Sequence, residues 1–177
     1  MPHIILTGTE STYKTRLCKA LSEWLHLHTV PEYAREYMRE HALDASALNE
    51  AIFQAITKGQ MEQQSTQGYY NAQADPVLFD TDGITLAVWA ADKFPPAAKE
   101  FSVVPKHLHY LVCAPTNKAY EDPMREDLYR RQELHQRYLA ILDAIDASYT
   151  VLTEATFKDR LVEAKSALTS LGFTPRD

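Results

Sequence analysis

The octapeptide Gly8-Thr9-Glu10-Ser11-Thr12-Tyr13-Lys14-Thr15 has the residue types of a phosphate cradle. It follows a short apolar run, His3 to Thr7, that reads as a buried strand. It precedes apolar residues at Leu17, Ala20, Leu21, Trp24 and Leu25, a helical spacing. In that context, successive backbone N–H groups converge on an anion, and the helix behind adds its positive end. Lys14 would offer a mobile cation to terminal phosphates, and the Thr15 hydroxyl a ligand to Mg²⁺. The pattern G-x-x-x-x-G-K-[S/T] asks for glycine where this chain has Tyr13. We expect the loop to relax to a negative φ there, the phenol turning away, with weaker but retained nucleotide binding. The competing reading is an ordinary strand–turn–helix junction capped by Ser11 or Thr12.

Four further groups have chemistry to offer. Asp80 and Asp82 follow the run PVLFD, so they lie at the carboxyl end of a buried strand, where α/β folds bind ligands. Either carboxylate would hold Mg²⁺ or accept a hydroxyl proton; either would equally serve as the N-cap of the next helix. Glu32 and Arg35, in PEYAREY after a second strand, would face an acceptor, Glu32 ranking second to Asp80 as proton acceptor. Their alternative is a solvated helix face, although Glu32 and Glu36 would repel at that spacing. Arg125, Arg130 and Arg131, in and after a polar stretch, would neutralise a transferred phosphoryl group or would be ordinary surface charges. Tyr33, Tyr37 and Trp89 would stack on a flat ring or pack between helices.

The elements that must position these residues are legible as alternating runs. Strands are expected at His3–Thr7, Thr29-Val30, Pro76–Asp80, His107–Cys113 and Tyr149–Leu152. Helical periodicity covers Lys14–Leu27, Glu32–Ala74 with breaks near Ser46 and Gly59, Thr81–Phe94, Asp127–Ala147, and Phe157 to Leu171. Ser46 is expected to cap the helix that follows it. Strands alternating with helices imply parallel βαβ units and a three-layer α/β sandwich. Residues 1–177 read as one domain, with a lid-like segment at about 115–131 and no repeat or linker.

Composition narrows the function classes. A net charge of −6 disfavours a chain that coats nucleic-acid phosphate. No apolar run reaches the ~18 residues of a membrane span, and the first residues lack a secretory signal's pattern. Cys18 and Cys113 sit in apolar surroundings without zinc-ligand spacing, which points to a reducing, cytoplasmic setting. The five glycines cannot write G-x-G-x-x-G, so a dinucleotide fingerprint is excluded.

Taken together, GTESTYKTRL, VPEYAREY, DTD and Trp89 resemble the nicotinamide riboside kinase domain of the bacterial NadR type, from about His3 to about Gly172. The resemblance implies a phosphate-loop kinase with five parallel strands in the order 2-3-1-4-5. It implies ATP with Mg²⁺ and phosphorylation of a nucleoside 5′-hydroxyl. By position, Gly8 to Thr15 would bind the nucleotide, and Thr15, Asp80 and Asp82 the metal. Asp80, Lys14, Glu32, Arg125 and Arg130 would be catalytic, and Glu32, Tyr33, Arg35, Asp82 and Trp89 would contact the small-molecule nucleoside. The chain departs from the family at Tyr13 and at Asp122-Pro123-Met124-Arg125, where the family tends to read D-G-L-R. Family members of full length carry an adenylyltransferase domain before this one, and it is not expected here. A kinase for another nucleoside or nucleotide, or a non-catalytic nucleotide-binding module, is the alternative function.

Overall fold

The computed structural model of the chain describes residues 1–94, 104–116 and 130–175. Five strands form one parallel sheet: β1 (His3–Gly8), β2 (Thr29–Val30), β3 (Leu78–Asp80), β4 (Leu108–Cys113) and β5 (Ser148–Leu152). Their order is β2-β3-β1-β4-β5, as expected. Parallel neighbours need long crossovers, and helices supply them: α1 (Lys14–Leu25), α2 (Tyr33–Glu40), α3 (Glu50–Thr66), α4 (Gly83–Lys93), α5 (Arg131–Ala144) and α6 (Phe157–Ser170).

The central strand is buried at every position because helices cover both faces. Ile4 and Leu6 point to one side, where they meet Leu17, Leu21, Ala164 and Leu168 of α1 and α6. Ile5 points to the other, joining Ile84 and Val88 of α4 and Leu134, Tyr138 and Leu142 of α5. The register sets Ile5 between Phe79 and Tyr110. All five strands therefore end at one edge, and Gly8, Val30, Asp80, Cys113 and Leu152 mark it. The strand order reverses at β1, which puts the loop after Gly8 at the crevice where open α/β sheets bind ligands.

The stretch read as helical from Glu32 to Ala74 divides into α2, a 3₁₀ turn at Ala45–Ala47, and α3. Ser46 does not cap α3. It lies within the 3₁₀ turn and donates to the Asp44 side chain, while Asn49 accepts from the Ile52 N–H as the true cap. α4 is shorter than its apolar pattern suggested, because Asp82 caps it two residues after β3. α2 and α3 form a third apolar cluster with α4 through Met38, Phe53, Ile56, Leu86 and Ala90. Tyr33 of α2 lies flat against Gly59 of α3, where a Cβ would overlap the phenol ring. Glycine inside a helix is otherwise unfavourable, so its place here is steric.

Gly59→Ala should lower stability by about 1–3 kcal/mol, the usual cost of overpacking. In a Tyr33→Ala background the same substitution should cost far less, as urea unfolding of the four proteins would reveal. Equal costs in both backgrounds would contradict the ring-on-glycine packing.

Candidate functional site

A cavity of about 440 Å³ opens at this edge of the sheet. Its floor is the loop from Gly8 to Arg16. Glu32, Arg35 and Met38 from the β2–α2 region form one wall, and Thr85, Trp89 and Lys93 of α4 another, with Leu134 and Tyr138 of α5 closing it.

The loop is built by backbone geometry more than by side chains. Gly8 has φ +120°, and a Cβ on it would sit 2.5 Å from the Cys113 carbonyl oxygen, so β1 and β4 approach too closely there for any other residue. Ser11 and Tyr13 both lie in the left-handed region, with φ 56° and 70°. Alternating left- and right-handed residues curl consecutive N–H groups into an anion-binding concavity. The Thr12 hydroxyl donates to the Thr9 carbonyl at 2.7 Å, and Lys14 Nζ donates to the same oxygen at 2.7 Å. No side chain caps α1, whose amino end opens onto the cavity with its first N–H groups.

The expectation of a negative φ at Tyr13 is corrected by this geometry. Tyr13 keeps the conformation that glycine would have, and its ring docks edge-on against Phe157 at 6.0 Å. The Arg16 guanidinium stacks 4.1 Å over the same Phe157 ring. A left-handed non-glycine residue costs about 1–3 kcal/mol, and an aromatic pair returns about 0.5–1.5 kcal/mol. The ring contact thus offsets part of the strain.

Beside the loop, the Thr15 hydroxyl donates to Asp80 Oδ2 at 2.6 Å. Asp80 is buried, and its other carboxylate oxygen, Oδ1, has no hydrogen-bond partner among the described residues. Burial and the nearby Glu32 charge raise its pKa, against the Thr15 hydrogen bond, Lys14 and Arg35. This orphaned oxygen and the adjacent hydroxyl fit a hard cation that takes two protein ligands and completes its shell elsewhere, the habit of Mg²⁺. No cluster of three or more His, Cys, Asp or Glu suited to a metal occurs among the described residues.

The other sequence-derived candidates divide. Glu32 and Arg35 line the cavity together, linked by a 3.4 Å contact, and Trp89 faces it from α4. Asp82 does not reach the site. It is fully buried on the far side of the strand end, where Oδ2 accepts from the Tyr69 and Tyr110 hydroxyls at 2.7 and 2.6 Å and Oδ1 caps α4 through the Ile84 N–H. Desolvation raises its pKa and the two tyrosine hydroxyls oppose the rise. With both oxygens committed, it is a structural pin and no metal ligand. Tyr33 is likewise turned onto Gly59, away from the cavity. Arg130 grips both carboxylate oxygens of Asp92 at 2.9 and 2.8 Å and also pairs with Glu133, outside the cavity lining. Arg131 is buried and donates to the Thr116 carbonyl. Arg125, with most of the lid-like segment, lies outside the described residues.

Several site residues escaped the sequence reading. Met38, Thr85, Lys93 and Tyr138 enter the cavity lining from helix faces whose periodicity signalled only packing. Arg160 of α6 touches the loop from below and was the one residue with a visible signal: a charge on the apolar stripe of Phe157, Leu161 and Ala164.

The family model described as an AAA domain matches residues 3–160. No curated protein matches the chain in sequence. Among solved structures, the NadR protein in complex with NR superposes with a TM-score of 0.79 at 22% identity, covering 99% of this chain and 51% of that one. A deoxyadenosine kinase from M. mycoides with bound dATP gives 0.70 at 12% identity, covering 96% and 100%. Shikimate kinase from Acinetobacter baumannii in complex with shikimate gives 0.58 at 17%, covering 97% and 94%. The chain spans about half the length of the NadR structure and shares the fold of all three.

Asp80→Asn should raise the melting temperature of the ligand-free, metal-free protein at pH 7, because it removes a buried carboxylate charge. The raised pKa means that the native state holds a proton more tightly than the unfolded chain. The carboxylate's cost is therefore fully present above that raised value and fades as pH falls through it. The asparagine advantage should shrink accordingly in melts run towards acid pH, and an advantage independent of pH would contradict the assignment.

Proposed function

The chain belongs to that AAA-domain family, and we propose that it is an ATP-dependent kinase acting on a nucleoside 5′-hydroxyl, with nicotinamide riboside as the acceptor. The observation that carries this reading is that the phosphate loop, with Thr15 held by Asp80 behind it, and Glu32 line one cavity of about 440 Å³. The likeness in fold to a NadR structure holding NR, and to a nucleoside kinase, supports the acceptor class.

Each residue has a task that its position permits. Loop N–H groups and the amino end of α1 would hold the phosphates. Lys14 would leave the Thr9 carbonyl for the phosphate oxygens, where it offsets the charge of the transition state. Thr15 and Asp80 would hold Mg²⁺, which would supply positive charge to the same oxygens. Glu32 faces the cavity directly, whereas Asp80 is engaged by Thr15, so the proton-accepting role passes from Asp80 to Glu32. Arg35 fixes the Glu32 carboxylate. The acceptor oxygen would bond to the terminal phosphorus, its proton would go to Glu32, and the bridging P–O bond would break to release ADP. Trp89 offers a flat face to an aromatic ring. Both cysteines are buried free thiols, which suits a reducing cytoplasm, and the acidic chain suits a small-molecule substrate over nucleic acid.

Incubation with ATP, Mg²⁺ and a panel of nicotinamide riboside, deoxyadenosine, deoxycytidine and shikimate, followed by mass spectrometry, should give the riboside 5′-phosphate as the main product. Lys14→Ala should reduce its rate by roughly a hundredfold. Phosphorylation of another member of the panel would replace the acceptor, and binding of ATP with no phosphorylated product at all would leave a nucleotide-binding module without catalysis.

A further inference from the structure

The guanidinium of Arg160 is buried beneath the phosphate loop, its residue fully shielded from solvent. It donates from Nε to the Glu154 carbonyl at 2.7 Å, and from Nη1 to the Ala114 carbonyl at 2.9 Å and the Thr12 carbonyl at 3.2 Å. One side chain thus ties the β5–α6 turn, the end of β4 and the phosphate loop. Nη2 has no hydrogen-bond partner, and no carboxylate pairs with the guanidinium among the described residues. Burying a charge on neutral carbonyls alone is costly. The chain accepts that cost at the one place where an anion is due to sit overhead.

One helical turn earlier, Phe157 supports the ring of Tyr13. The two contacts from α6 therefore fall on consecutive loop residues, the carbonyl of Thr12 and the side chain of Tyr13. That pairing has a consequence for the peptide between them. In a trans peptide the carbonyl and the following N–H point in opposite directions, and no described peptide bond is cis. Drawing the Thr12 carbonyl down to Arg160 therefore turns the Tyr13 N–H to the other side, where Tyr13 lines the cavity. Tyr13 holds a left-handed φ, strained for any residue but glycine, on the far side of that same peptide.

We propose that the first turn of α6 is a splint for the phosphate loop, with Arg160 as the positioning residue that aims the Tyr13 N–H at bound phosphate and Phe157 as the brace that lets tyrosine occupy a glycine conformation. This goes beyond the assignment of the kinase reaction but rests on that reading for the identity of the anion. Lysine keeps the charge yet lacks the planar fork that reaches three carbonyls at once.

Titration calorimetry with the non-hydrolysable analogue AMP-PNP tests it, on proteins shown by circular dichroism to be folded at the working temperature. Arg160→Lys should weaken AMP-PNP binding by about tenfold, the scale of one charge-assisted hydrogen bond. Binding of nicotinamide riboside, which draws on Glu32 and Trp89, should stay within about twofold, whereas a general loosening of the fold would weaken both. Phe157→Leu should weaken AMP-PNP binding in the wild-type background and have little effect beside Tyr13→Gly, because glycine needs no brace. This cycle decides the matter even if the Arg160 variants fail to fold. Unchanged AMP-PNP affinity in Arg160→Lys, or equal losses from Phe157→Leu in both backgrounds, would overturn the splint. A wild-type protein that binds AMP-PNP but phosphorylates nothing would overturn the kinase reading alone, and one that binds no AMP-PNP would overturn both.

Discussion

Two left-handed residues within three positions, Ser11 and Tyr13, give the phosphate loop its curl, and most of the surrounding structure exists to hold that curl. β1 delivers the chain to it at Gly8, hard against the Cys113 carbonyl. α1 carries the chain away without a side-chain cap, leaving its amino end open towards the cavity. The Thr12 and Lys14 side chains both close on the Thr9 carbonyl within the loop. α6, on the same face of the sheet as α1, supports it through Phe157 and Arg160. Each of these contacts is modest alone, yet together they make a backbone shape that no local propensity would select.

Electrostatics at the edge of the sheet follows the same division between site and support. Asp80 and Asp82 leave one strand two residues apart and meet opposite fates. Among the described residues, one oxygen of Asp80 has no hydrogen-bond partner next to Thr15, so its charge is available to a cation. Asp82 is neutralised in its surroundings by two tyrosine hydroxyls and a backbone N–H, so it pins β4 and the segment at Tyr69 to the start of α4. The positive groups around the loop, Lys14 and Arg160, lie close enough to pull the Cys113 thiol downward, although burial wins and pushes it up to about 11. A thiol so placed is inert, and its contribution is packing.

Much of this was legible in the sequence because parallel strands covered on both faces must be continuously apolar. HIILT, VLF and HLHYLVC announced themselves in that way, and the loop–lysine–threonine motif located the cradle between strand and helix. What escaped depends on partners distant along the chain. Tyr13 holds its positive φ with its ring against a distant ring on α6, and a local reading could only expect relaxation. The choice between Asp80 and Asp82 is made by Tyr69 and Tyr110, which no spacing rule connects to them. Tyr33 follows an acidic residue in a promising motif, but Gly59 offers it a fitted surface and draws it from the cavity. Arg160 stands out in the sequence only as a charge on an apolar stripe, and its task is set by three carbonyls, two of them distant along the chain.

The proposed function depends above all on the loop from Gly8 to Thr15 being a preformed anion cradle that would bind the phosphates of a nucleotide through its backbone. Amide ¹H–¹⁵N spectra recorded while AMP-PNP and Mg²⁺ are added test it most directly. The largest shifts should fall on the amides of Ser11 to Thr15, with Tyr13 among them, and Gly59 and the amides of α3 around it should scarcely move. Saturable binding that leaves the loop amides in place while shifting another part of the protein would contradict it.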